Sequence, residues 1–288
     1  MKPFNLCGIS FMPELWKPRQ NLKTLLGHID EAAAGGAEVI ATCEGVLDGY
    51  ITRDLPKNRI RPEDRTSKGY AQRVARFRKR QEALAAEIKA DAIPRLQKKA
   101  AQHGVTLFVN TLDLRRRGAV YNTTFVIDPQ GRIVGTYDKI HAAFEVVNRL
   151  GKGYPIFDTP CAPIGVLVCA DRQFPETARA VALNGAAVLI INSYGMWGQG
   201  ENERFIRQRA YENGLFLLFC HPRETVLCSP EGRIIGATCG WENVMIRRID
   251  PEKAVGRGVF GNREMAETYA VIGDPEAYVR REKRKRRA

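Results

Sequence analysis

The sequence predicts an α/β protein in which mixed sheets are covered by helices. Three observations point there. Apolar runs of strand length alternate with segments of helical spacing through most of the chain. The C-terminal part reads instead as strands joined by short turns. One apolar run, Ile164 to Val168, stops abruptly on Cys169, and a polar turn and Pro175 follow. A cysteine so placed sits at the carboxyl end of a buried strand, where a sharp turn presents a nucleophile above a sheet.

Each element has its own signal. Phe4 to Phe11 reads as a first strand. Leu22, Leu25, Leu26 and Ile29 fall at helical spacing within Arg19 to Ala34, and Gly35-Gly36 stops that helix. Val39 to Cys43 is a second strand, ending at Glu44. Arg65 to Ala90 is helix-prone but strongly basic. Ile93 to His103 continues as a helix, with Pro94 tolerated in the first turn and Gly104 as the stop. Val105 to Asn110 is a third strand. Tyr121 to Ile127 and Ile133 to Tyr137 flank the turn Asp128-Pro129-Gln130-Gly131 as a hairpin. Beyond Cys169, Pro175 to Leu183 is a helix, Val188 to Asn192 a strand, and Glu201 to Asn213 a helix closed by Gly214. Leu215 to Cys220, Thr225 to Leu227, Ile234-Ile235 and Val244 to Ile249 complete the strands. No internal repeat or dividing linker is visible. One domain is expected over residues 1–250, with a basic insertion at about 53–90, then an extension over 251–288 ending in a basic tail.

Composition narrows the functional class. The 288 residues are 44% hydrophobic and 27% charged, ordinary for a globular protein with a sizeable core. No apolar run approaches the roughly 20 residues of a membrane span. Pro13 and Glu14 interrupt the amino terminus too early for a signal peptide, so a cytoplasmic protein with no membrane partner is expected. The seven cysteines are scattered with no C-x-x-C pair, and most lie in apolar runs as small buried thiols. His28, His103, His141 and His221 lack metal-ligand spacing, so no metal is expected.

The net charge of +13 is unevenly spread. Residues 53–80 carry eleven Lys and Arg against three Asp and Glu, and residues 280–287 carry seven against one, which leaves the rest of the chain close to neutral. These segments either touch nucleic acid, another anionic partner or a neighbouring subunit, or are solvated charge. The tail lacks the interleaved aromatics of a single-strand binder, which makes nucleic acid the less favoured partner.

Three strand ends carry the chemistry: Glu44 after Val39 to Cys43, Lys139 after Ile133 to Asp138, and Cys169 after Gly165 to Val168. If these strands lie side by side in one sheet with their carboxyl ends together, the three side chains converge where α/β sheets place their sites. A carboxylate can take the thiol proton. Attack on an amide or nitrile carbon then builds negative charge, which a lysine ammonium and the Ala170 backbone N–H can stabilise. The protonated carboxylate can pass its proton to departing ammonia, and then activate water against the thioester.

These segments resemble the nitrilase superfamily, the carbon–nitrogen hydrolases. Cys43-Glu44-Gly45-Val46-Leu47-Asp48-Gly49-Tyr50 is similar to that family's glutamate motif, Tyr137-Asp138-Lys139-Ile140-His141 to its lysine motif, and Cys169 to Glu176 to its nucleophile motif. The stretches Ala119 to Thr124 and Arg207 to Asn213 are similar to accessory family segments, and the likeness runs from about Phe4 to Ile249. The resemblance implies a four-layer α-β-β-α sandwich and a Glu-Lys-Cys triad of Glu44, Lys139 and Cys169. It further implies assembly into homodimers or larger homo-oligomers, with no metal or organic cofactor. Family members often carry a second glutamate near the substrate. Glu145 is the only candidate between Lys139 and Cys169, and it is either that residue or a surface charge.

Within the family, the run Cys169-Ala170-Asp171-Arg172 followed by Pro175-Glu176 resembles N-carbamoyl amino acid amidohydrolases. Arg172 then either grips a substrate carboxylate with its fork or pairs with Asp171 or Glu176 and braces the turn. Trp197, in the segment after Asn192, either covers the substrate or packs against another subunit. Tyr50, His141 and Asn192 are further candidates for the pocket or its support. The first expectation is therefore a cysteine hydrolase releasing ammonia from an N-carbamoyl or amide substrate through a thioester or carbamoyl-enzyme. A nitrilase making a carboxylic acid from a nitrile is the second. A scaffold binding an anionic partner through its basic segments is the alternative of another class.

Overall fold

The computed structural model of the chain describes residues 1–142, 144–195, 198–240 and 242–254. Alternation along the first strand, β1 (Phe4–Phe11), sets its layering. Phe4 and Leu6 face the layer between two sheets, whereas Cys7, Ile9 and Phe11 face a layer of helices. The first sheet also holds β2 (Val39–Thr42), β3 (Thr106–Arg115), β4 (Ala119–Ile127) and β5 (Ile133–Asp138). The second holds β6 (Ile156–Asp158), β7 (Pro163–Val168), β8 (Val188–Asn192), β9 (Phe216–His221), β10 (Glu224–Cys228) and β11 (Ile234–Cys239). β12 (Glu242–Ile249) returns to the first sheet, pairing with β1.

The spatial orders are β12-β1-β2-β3-β4-β5 and β6-β7-β8-β9-β10-β11. Read in those directions, both sheets pair antiparallel, parallel, parallel, antiparallel and antiparallel. The fold thus repeats itself in topology, a repeat that the sequence does not display.

Helices complete the outer layers. α1 (Pro18–Ala34) starts on a proline and buries Leu22, Leu25, Ile29 and Ala32 against the first sheet. α2 (Tyr70–Glu87) runs through a π turn, Ile88–Ala92, into α3 (Ile93–His103) on the same face. α4 (Pro175–Leu183) and α5 (Gln199–Asn213) cover the second sheet. The result is the four-layer α-β-β-α sandwich. The basic segment 53–90 divides. Its first part forms 3-10 turns at Ile51–Asp54 and Pro62–Asp64, while α2 buries Phe77, Leu84 and Ala85 and belongs to the helical layer. The expected extension forms a 3-10 turn at Pro251–Lys253, and its basic tail lies outside the described residues. No described helix is long and apolar enough to cross a membrane.

The two sheets approach closely at Gly8 of β1. A Cβ there would overlap Thr225 Cγ2 and stand 3.1 Å from Cys220 Sγ, both on the facing sheet. Gly8→Val is therefore expected to lower unfolding free energy by about 1–3 kcal/mol through overpacking, read as a shifted urea midpoint. A wild-type midpoint would contradict so tight a contact.

Candidate active site

Glu44 and Lys139 leave the first sheet, after β2 and β5, whereas Cys169 leaves the second, after β7. The expected single sheet is therefore corrected: the three strand ends meet across a sandwich. β3 and β4 separate β2 from β5, and their Asn110 and Asn122 fill the gap. Asn110 Nδ2 donates to Asn122 Oδ1 at 3.0 Å, and Asn122 Nδ2 donates to Glu44 Oε1 at 2.8 Å. The corresponding ends of β2 and β8 also touch. Glu44 N–H donates to the Ser193 carbonyl at 3.2 Å, and Tyr194 N–H to Glu44 Oε2 at 3.0 Å.

Lys139 is only 3% exposed and sits between two buried carboxylates. Its Nζ donates to Glu44 Oε1 at 2.7 Å and to Glu145 Oε1. Glu145 also accepts from Tyr50 Oη at 3.1 Å and from Asn148 Nδ2 at 2.7 Å, so it is no surface charge. Burial opposes the Lys139 ammonium, but Glu145 and Glu44 outweigh it and hold its pKa well above the ordinary value. Burial pushes the Glu44 carboxyl up, against the pull of Lys139.

Cys169 adopts φ 47°, a left-handed conformation costly for a residue with a Cβ. Asp171 and Arg172 hold it there. Asp171 is fully buried and accepts from Val168 N–H at 3.0 Å, Tyr137 Oη at 2.7 Å and His141 N–H at 2.8 Å. Arg172 Nη1 donates to the Cys169 carbonyl at 2.7 Å and to Ser193 Oγ at 3.1 Å, and Nη2 to the Gly195 carbonyl at 2.9 Å. The expected pairing with Asp171 or Glu176 is replaced by two main-chain carbonyls and the Ser193 hydroxyl. Arg172 is 2% exposed, and only its buried Nε is left without a hydrogen bond among the described residues. Burial, then the Glu44 charge, raises the Cys169 thiol, while Lys139, Arg172 and Ser193 pull it down. The resting thiol is thus neutral beside a carboxylate able to take its proton. Ala170 follows at the start of the 3-10 turn Cys169–Gln173, where the leading N–H groups have no partner within the turn.

The remaining candidates take different places. His141 Nδ1 lies 2.9 Å from Asp171 Oδ1 and its ring stacks on Phe174 at 4.1 Å, so it supports the turn after β7. Asn192 joins the sheets, donating to the Thr42 carbonyl at 2.6 Å and accepting from Thr124 Oγ1 at 2.8 Å. Tyr50 has φ 53° and stacks on Tyr194 at 4.9 Å. Trp197 lies outside the described residues. Asn122 and Asn148 receive no role from the sequence, although Asn122 lies within the accessory stretch Ala119 to Thr124. Beside the site a cavity of about 330 Å³ is walled by Tyr50, Glu145, Leu55, Ile60, Phe144 and Arg53. Among the described residues no three His, Cys, Asp or Glu gather as a metal set.

The loop from Glu44 to Tyr50 needs its glycines. Gly49 has φ 79°, and a Cβ there would meet Leu15 Cα at 2.6 Å. Within this loop, Asp48 accepts from Ile51 N–H and Thr111 Oγ1, and burial raises its pKa to about 6. A carboxyl whose folded pKa lies above its unfolded value favours folding most when protonated. Its contribution should fall as pH rises from about 4 to about 6. Asp48→Asn should remove that slope in urea titrations across the window; an unchanged slope would contradict the assignment.

Residues 6–256 match the family described as carbon-nitrogen hydrolase. An omega-amidase of Xenopus tropicalis is 25% identical over 276 residues, covering 88% of this chain and 90% of that protein. A hydrolase of Schizosaccharomyces pombe is 28% identical over 169 residues; the match covers 50% of this chain and spans about half, 52%, of that protein's length. Among solved structures, a mutant of the amidase from Nesterenkonia sp. AN1 has the acetamide moiety of fluoroacetamide added at its active-site cysteine. It is similar with a TM-score of 0.73 at 17% identity, covering 93% of this chain and 97% of that one, which is a likeness of fold. With the family match spanning both sheets and all three strand ends, the chain belongs to the carbon–nitrogen hydrolases, the nitrilase superfamily.

Proposed function

We propose that this carbon–nitrogen hydrolase is a cysteine amidase that releases ammonia from a carboxamide. The observation that carries the reading is the buried Lys139 ammonium between Glu44 and Glu145, beside the strained turn bearing Cys169. Glu44 takes the thiol proton and the thiolate attacks the amide carbon. Lys139 and the Ala170 N–H receive the developing oxyanion. Glu44 returns its proton to the leaving nitrogen, ammonia departs, and a thioester remains. Glu44 then deprotonates water, which attacks the thioester and frees a carboxylic acid and the thiol. The acyl part of the substrate extends into the cavity walled by Leu55, Ile60 and Phe144.

The N-carbamoyl reading rested on Arg172 as a carboxylate clamp. With both Nη atoms donating to protein oxygens, no free fork remains for a two-pronged grip. The omega-amidase among the similar proteins supports the amide. Homo-oligomeric assembly, which rests on the resemblance, and a cytoplasmic location, which rests on the sequence, belong to the same reading.

Ammonia release from matched amides, N-carbamoyl amino acids and nitriles tests the substrate class. Turnover of amides is expected; turnover confined to the other two would overturn the proposal. Cys169→Ala should abolish turnover and keep the wild-type circular dichroism spectrum, and substantial residual activity would remove the thiol from the mechanism. Lys139→Ala should slow acylation by roughly 10²–10³-fold in single-turnover traces; a defect in deacylation alone would refute the oxyanion role. Because Glu44 must be ionised and burial raises its pKa, kcat/KM should fall with decreasing pH along a limb centred above the ordinary glutamate value of 4.5. A limb at or below that value would contradict the assignment of Glu44 as base.

A further inference from the structure

The basic segment 53–80 contains a second concavity that the reaction does not use. Lys57 and Arg59, between the two 3-10 turns, face Arg73, Arg76 and Arg80 of α2 across a cavity of about 350 Å³ that also includes Phe77. No carboxylate lines it. Arg73, Arg76 and Arg80 are spaced i, i+3 and i+7, so they share one helix face, where like charges repel.

The acidic residues of the segment are committed elsewhere. Asp54 accepts from Trp16 Nε1 at 3.3 Å, while Glu63 and Asp64 pair with Arg61 at 3.2 and 3.0 Å. Two of the five cations are also held in position. Arg73 donates to the Lys68 carbonyl at 2.7 Å, to Ser67 Oγ at 2.6 Å and to the Arg59 carbonyl at 3.3 Å. Arg80 lies 3.7 Å over the Trp16 ring. The charge is therefore gathered around one cavity, with Arg73 and Arg80 held in place beside it.

We propose that this cleft binds a small ligand carrying two or more linked phosphates. Five cations around a cavity walled by no carboxylate call for a multivalent anion, and the guanidinium groups of Arg59, Arg76 and Arg80 match phosphate oxygens. The cavity is compact enough for a di- or triphosphate, and it shares no lining residue with the cavity beside Glu145. A free polyphosphate and the phosphate chain of a nucleotide offer the same chemistry.

Calorimetric titration of the full chain with tripolyphosphate tests this, first at physiological salt and then at higher salt. Saturable one-to-one binding that weakens with salt is expected. Arg59→Ala with Arg76→Ala, both at exposed positions, should weaken it at least tenfold without moving the melting temperature. Arg204→Ala with Arg207→Ala, in a separate surface groove on α5, should leave it unchanged. So should replacement of the basic residues of 280–287 by glutamine. Competition by ATP would extend the site to nucleotides, whereas tripolyphosphate binding that ATP cannot displace would assign it to inorganic polyphosphate; both keep the cleft. No saturable binding would overturn the proposal. So would equal loss in either control variant, or binding of single-stranded DNA with none of tripolyphosphate.

Discussion

A buried ammonium between two buried carboxylates is the constraint on which the active end of this fold depends. Lys139, Glu44 and Glu145 are all shielded from water, and two carboxyl groups share one ammonium. Such a group is tolerable only if the remaining lone pairs find donors. Asn122, Tyr50, Asn148 and the Tyr194 N–H supply them. Those donors come from β4 and from the loops after β2, β5 and β8, so satisfying the charges also fixes how the layers sit. Removing one partner of a buried pair costs roughly 3–5 kcal/mol in general, which ties the chemistry of this site to its stability.

The second sheet contributes the nucleophile under strain. Cys169 is kept at positive φ by a carboxylate, Asp171, that collects the N–H groups of Val168 and His141, and by a guanidinium, Arg172, that collects carbonyls. The thiol then experiences opposing influences: burial and Glu44 keep its proton on, while Lys139, Arg172 and Ser193 ease it off. Such a balance suits a nucleophile that ionises when a substrate is present and rests as a thiol otherwise.

Much of this was legible in the chain because strand ends are legible. An apolar run that stops on Glu44, Lys139 or Cys169 states both the element and the edge, and the spans of β1, α3, α4 and β8 were readable to the residue. The sheet that each strand joins was not readable, since strand pairing is a long-range choice that leaves no local mark. For the same reason the topological repeat was hidden: matching orders of strands and helices require only similar hydrophobic periodicity, not similar residues. β6 was missed because three residues carry no period. Glu145 was ambiguous because the run around it, His141 to Glu145, shows neither strand nor helix spacing. Arg172 was ambiguous because its partners are carbonyls, which every residue owns and no sequence pattern marks.

The roles assigned to Glu44, Lys139 and Cys169 converge on one chemical species, an acyl group carried on one of the seven cysteines. Acid-quenched peptide mass spectrometry during turnover of an aliphatic amide observes it directly. The peptide containing Cys169, and no other cysteine peptide, should gain the mass of the amide less ammonia. Steady release of ammonia with Cys169 unmodified at every quench time, or the acyl mass on another cysteine, would contradict it.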